Sequence, residues 1–95
     1  MRVTIELRLI PRYRVMDYLV QVGGTPVESL SVVGRGWTAT IEALEPDQVG
    51  IVQVPRDCLV IEGDEAAVER VRVFMQRQVD RLRQHRGWRS TGTAL

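Results

Sequence analysis

The chain has 95 residues, 44% of them apolar and 26% charged, with a formal net charge of +1. That length holds one domain and one core, burying about 60–65% of the unfolded surface, and the composition is globular rather than disordered. Cys58 is the only cysteine, which rules out an internal disulfide and a cysteine-based zinc cluster and fits a reducing compartment.

Met1 to Glu6 alternates instead of forming an apolar run of signal-peptide length. The longest uncharged stretch, Tyr18 to Val27, is too short and too interrupted by glycine and proline to cross a membrane. The expectation is a soluble cytoplasmic protein with no membrane contact. Only Tyr13, Tyr18, Trp37, Phe74 and Trp88 are aromatic, so the core must be built from Val, Leu and Ile. All thirteen basic residues are arginine and asparagine is absent, a bias that locates no site.

Val3, Ile5, Leu7 and Leu9 alternate with Arg2, Thr4, Glu6 and Arg8, the pattern of a strand with one buried face. After Pro11, Val15, Leu19 and Val22 sit at helical spacing, bracketed by the proline and Gly23-Gly24. Met16, Tyr18, Val20 and Val22 also alternate, so helix is favoured over Arg12–Val22 with a strand as the alternative. Thr25-Pro26 reads as a turn. Glu28–Val33 and Trp37–Leu44 read as strands parted by Gly34-Arg35-Gly36, and Glu45-Pro46-Asp47 as another turn. Val49–Val54 and Cys58–Ile61 flank Pro55-Arg56-Asp57, which gives either a hairpin or one kinked strand.

From Asp64 onward, Val68, Val71, Met75, Val79 and Leu82 recur at steps of three and four, widened by Ala67 and Phe74. The spacing predicts a helix of about 20 residues, closed by Gly87. Residues 1–86 then form the domain and 87–95 a loose tail. The order β-α-β-β-(β)-β-α predicts an α+β fold: an antiparallel sheet of four to five strands, ferredoxin-like or related, with two helices packed on one face.

The charge is unevenly laid out. Residues 42–69 carry eight acids against Arg56, and residues 70–89 carry seven arginines against Asp80. Much of this suits a solvated helix, with Asp64 as N-cap, acids at the positive end and arginines at the negative end. Glu69–Arg72, Arg77–Asp80 and Asp80–Arg83 are spaced as ion pairs. A sharper reading places Arg70, Arg77 and Arg81 in one stripe beside Phe74, with Arg86, Trp88 and Arg89 just beyond. Arginine mixed with aromatic residues can hold phosphates and stack bases, or meet a protein partner.

Catalysis finds less support. Cys58 and His85 are the only cysteine and histidine. Cys58 lies in an apolar strand, where an inert buried thiol is the ordinary outcome. Glu42, Glu45 and Asp47 bracket a proline turn without the spacing of a calcium loop. Gly34-Arg35-Gly36-Trp37 lacks the further glycine and the helix of a dinucleotide site. Trp37 is expected in the core. No catalytic residue, cofactor or metal is assigned.

Leu59-Val60-Ile61-Glu62-Gly63-Asp64-Glu65-Ala66-Ala67-Val68-Glu69-Arg70-Val71 resembles the strand-to-helix joint of ACT-like and NIL-type regulatory modules, and Val3–Leu7 is similar to their first strand. The resemblance implies a small, dimeric, ligand-sensing domain and carries over no binding residue. The expected function is therefore a non-enzymatic regulatory or interaction module, acting as a homodimer or on another protein. The alternative is an RNA or DNA binder using the arginine stripe.

Overall fold

The alternating first segment becomes strand β1, Arg2–Leu7, with Ile5 and Leu7 buried and Arg2, Thr4 and Glu6 exposed. The computed structural model describes the backbone of residues 1–8 and 10–94, and the side chains of those residues as far as Leu82. Helix α1, Arg12–Gln21, follows; Pro11 sits at its N-cap and its carbonyl accepts from the Arg14 and Val15 amides. Val15 and Leu19 are fully buried, so the helical spacing prevails over the competing alternation.

Strands β2, Thr25–Glu28, and β3, Ser31–Gly34, come next, then β4, Trp37–Val49, and β5, Val52–Gly63. Helix α2 runs from Glu65 to Ala94. The five strands form one antiparallel sheet in the order β1-β5-β4-β3-β2, so β2 to β5 are a meander and β1 docks beside the last strand. α1 and α2 cover one face, where Leu19, Leu59, Ile61, Val68, Val71 and Met75 form the centre of the core. This is the α+β class expected, with five strands.

Local details depart from the sequence reading. Thr25-Pro26 is part of edge strand β2; Pro26 pairs opposite Val32, and an edge tolerates the missing N–H. Glu45-Pro46-Asp47 is no turn, because β4 continues through it as an irregularity in the ladder. The true hairpin turn is Gly50-Ile51, where Gly50 takes φ 63°. Pro55 lies inside β5, so the kinked-strand alternative is the one realised. The backbone of α2 passes Gly87 and stays helical to Ala94, where the sequence predicted a stop and a loose tail. A helical glycine costs about 1 kcal/mol relative to alanine, which weakens a helix without ending it.

Trp37 is buried, as expected, and its indole lies so close over Gly34 that any Cβ there would overlap the ring. At the same end of the sheet, Gly63 takes φ 144°, the Asp64 amide donates to the Gly36 carbonyl at 2.8 Å, and α2 begins. The Asp64 carbonyl accepts from the Val68 amide at 2.8 Å, which places Asp64 at the N-terminal boundary of α2 as predicted.

Candidate functional site

β4 and β5 outrun their neighbours. β3 pairs with β4 only from Gly34↔Trp37 to Ser31↔Thr40, and β1 pairs with β5 only from Arg2↔Glu62 to Leu7↔Asp57. Residues 44–56 therefore form a two-stranded ribbon with no strand on either side among the described residues. Leu44 pairs with Arg56 and Asp47 with Val54, so Glu45 and Pro46 on one strand oppose Pro55 on the other. That count is a β-bulge, and prolines on both strands remove ladder donors there.

The ribbon's base is held by charge. Arg56 donates to Glu6 Oε1 from Nε at 2.8 Å and lies 2.7 Å from it through Nη2, and it reaches Asp47 at 3.4 Å. Arg8 donates to Asp47 Oδ2 at 2.8 Å and approaches Glu6 at 3.4 Å. On the other flank, Arg12 grips Asp57 with both nitrogens, at 3.0 and 2.7 Å, fastening the start of α1 to β5. The Arg56 hydrogen bond holds the Glu6 carboxyl below the usual range, and the Arg12 hydrogen bond does the same for Asp57. These bidentate guanidinium contacts fix direction as well as distance.

Beyond the bulge the ribbon carries apolar side chains that are exposed, with no cover among the described residues. Val49 and Val52 pair directly and so share a face, and both are exposed. Ile51, at the turn, is 99% exposed, and Leu44 is also open to solvent. Between Leu44 and Val54 the only charged residues are Glu45 and Asp47, and Asp47 is already engaged. Pro46 and Pro55 interrupt the ribbon's free edges, which blocks the addition of a further strand. What the ribbon offers is a side-chain surface.

The arginine stripe is partly assembled. Arg70 and Arg77 flank a groove floored by Ala66, Val73 and Phe74 of α2 and by Val22 after α1. Neither arginine has an ion-pair partner among the described residues. Arg81 is exposed further along α2, whereas Arg86, Trp88 and Arg89 lie outside the residues whose side chains are described, as does Arg83 of the predicted Asp80–Arg83 pair. Glu69 pairs with Arg72 as the spacing predicts. Asp80 instead accepts from Gln76 Nε2 at 3.1 Å, leaving Arg77 unengaged by it.

Cys58 is not the buried thiol expected from its apolar surroundings. It lies half-buried on the helix-free face of the sheet, in register with Glu6 on β1 and Glu42 on β4. Partial burial and then the negative charges of Glu42 and Glu6 push its thiol pKa up, opposite to what a nucleophile needs. Trp37, the other residue singled out, is structural. Among the described residues no three His, Cys, Asp or Glu side chains gather to hold a metal ion, and no helix is long and apolar enough to cross a membrane.

The geometry defines a small α+β protein whose distinctive surface is a projecting ribbon. The family model described as archaeal MoaD-like protein matches residues 3–82, and the chain belongs to that family. The match runs from β1 into α2 and includes the whole ribbon. No curated protein matches the chain. The likeness of Leu59–Val71 to ACT-like and NIL-type modules is thus corrected. The segment is a strand-to-helix joint, as that likeness implied, but the family is a different one. An acidic residue at the start of a helix after a strand is shared by many folds.

Proposed function

We propose that this protein is a small non-enzymatic interaction module that engages a protein partner through the outer half of the β4–β5 ribbon. The observation that carries the reading is the ribbon tip, where Ile51 is 99% exposed beside exposed Val49 and Val52. Scattered apolar surface residues are ordinary. A cluster of them at the end of a projecting hairpin stands in water with nothing gained, unless a partner removes it from solvent. The charged base supports the same reading, because Glu6, Arg8, Asp47 and Arg56 hold the ribbon in place before any partner arrives, which lowers the ordering cost of binding.

A photoreactive residue at position 51 tests the reading in extract of the native cell. The expected result is a discrete cross-linked protein species that disappears with Val49→Asp and is absent when the photoreactive residue stands at position 38. An unchanged pattern with Val49→Asp retires the proposal.

The family match supports a second reading, that of a small sulfur-carrier-like protein. It requires an intact mass raised either by exchange of one oxygen for sulfur, as in a thiocarboxylate, or by one added sulfur, as in a persulfide, in protein purified from its own cell, and a mass equal to the bare chain removes it. The arginine flank supports nucleic-acid binding less well, because the groove between Arg70 and Arg77 is floored by aliphatic side chains and Phe74, with Glu69 on its lining. Oligonucleotide anisotropy decides it: binding must fall steeply with salt and vanish in Arg77→Glu.

A further inference from the structure

The ribbon and the α2 groove complement each other in three independent ways. One projects and the other is recessed. Both are apolar along their middle, with Val49, Ile51 and Val52 on the ribbon and Val22, Val73 and Phe74 in the groove. Their charges are opposite: Glu45 stands exposed on the bulge with no ion-pair partner among the described residues, while Arg70 and Arg77 flank the groove in the same condition. No basic residue lies between Leu44 and Val54 to oppose the arginines.

The two surfaces do not meet within one molecule, where Ile51 at the ribbon tip is 99% exposed. The ribbon leaves the sheet at the end where β1 finishes, at Leu7↔Asp57. Val22 leads into Gly24, which packs against Val32 and the indole of Trp37, at the opposite end of the sheet where β4 begins. Complementary patches that one chain holds apart are satisfied between copies. Two copies lying side by side in opposite directions place each ribbon on the other's groove, which closes the pair and doubles the area covered.

We propose that the groove between Val22 and α2 receives the β4–β5 ribbon of a second copy of this chain, with Ile51 and Val49 on the apolar floor and Glu45 between Arg70 and Arg77. The inference rests on the ribbon being the interaction surface and names its partner. Association of this kind has an electrostatic component and weakens as salt rises.

Sedimentation velocity at tens of micromolar protein tests it, with four variants whose changes all lie on exposed residues and whose folding is checked by thermal melting: Ile51→Asp, Glu45→Arg, Arg77→Glu and the double variant Glu45→Arg/Arg77→Glu. The expected result is a dimer for the unaltered chain and association weakened by roughly tenfold or more in each single variant, the scale of losing one interfacial charge pair. Association recovers in part in the double variant, where the exchanged pair at positions 45 and 77 attracts again while Arg70 keeps its positive charge. Two outcomes overturn the proposal: an unaltered chain that sediments as a monomer, or Arg77→Glu associating as the unaltered chain does. If Ile51→Asp abolishes association while Arg77→Glu and Glu45→Arg leave it intact, the ribbon is the interaction surface but the groove is not its seat. If the position-51 cross-link is lost with Val49→Asp while the chain remains monomeric, the ribbon reading stands and the self-association fails.

Discussion

β4 and β5 each pass through two environments, and the two halves of the same strands behave differently. Their inner halves lie under two helices, and the side chains facing those helices, Trp37, Ala39 and Ile41 opposite Leu59 and Ile61, are almost fully buried. Their outer halves, Leu44–Val49 and Val52–Arg56, have equal β character and an intact ladder beyond the bulge, yet stay largely exposed, with no cover among the described residues. The hydrogen-bond ladder alone makes a strand. Burial requires a second layer, and the exposed side chains of the outer halves show none over them among the described residues. The inner half stores the fold's stability, and the outer half is left available for recognition.

The comparison breaks most plainly by truncation. Trp37→Ala or Leu59→Ala should lower unfolding free energy by about 3–5 kcal/mol, since either opens a cavity in a layer that cannot collapse around it. Chemical denaturation measures this, and a loss below about 1 kcal/mol would mean that the inner half is not the stabilising one. Gly34→Val forces a side chain into the Trp37 indole and should cost about 1–3 kcal/mol, with a change in tryptophan fluorescence reporting the displaced ring.

Acid sharpens the contrast at the ribbon's base. Glu6 and Asp57 have folded pKa values below their unfolded ones, so their contribution is complete above the unfolded carboxylate range, about 4, and is lost as pH falls through the lower folded values. The ribbon's valine methyl contacts in NMR spectra should therefore weaken at low pH while those of Leu59 and Val71 persist. Arg56→Ala should weaken the ribbon's contacts already at neutral pH and reduce the acid response. High salt at neutral pH acts in the same direction, because these pairs are solvent-exposed. The smallest effect is expected from Ile51→Ser, which should move the unfolding free energy by no more than about 0.5 kcal/mol, since this side chain has nothing to lose on the folded monomer.

How much of this is legible in the sequence differs by element. The period-two run of β1 and the helical spacing of Val68, Val71, Met75 and Val79 name their buried faces directly: Ile5, Leu7 and the four helix residues are buried, Val3 is half-buried, and Leu9 lies outside the described residues. Local periodicity suffices there because each segment has one face to hide. At Thr25-Pro26 and Glu45-Pro46-Asp47 proline suggests turns that the structure does not form, because it marks an edge or a bulge as readily as a turn; only strand pairing distinguishes them. Cys58 was misassigned for a related reason. Its neighbours Leu59 and Ile61 point inward, but its own parity sends it to the open face between Glu6 and Glu42.

The candidate site was less legible still. The arginines of α2 could be projected onto one stripe, but the valine from the end of α1 that completes their groove is about 50 residues away in sequence, and no local pattern joins them. Nor does any pattern distinguish Val49 and Val52 from Leu59 and Ile61, since all are apolar residues of good β propensity. By itself the sequence determined the elements, their buried faces and the charge of each segment, because these follow from nearest-neighbour geometry along the chain. Only the tertiary structure decided which strand halves the helices cover, because that depends on where chains distant in sequence stop pairing, and this distinction separates the core from the ribbon.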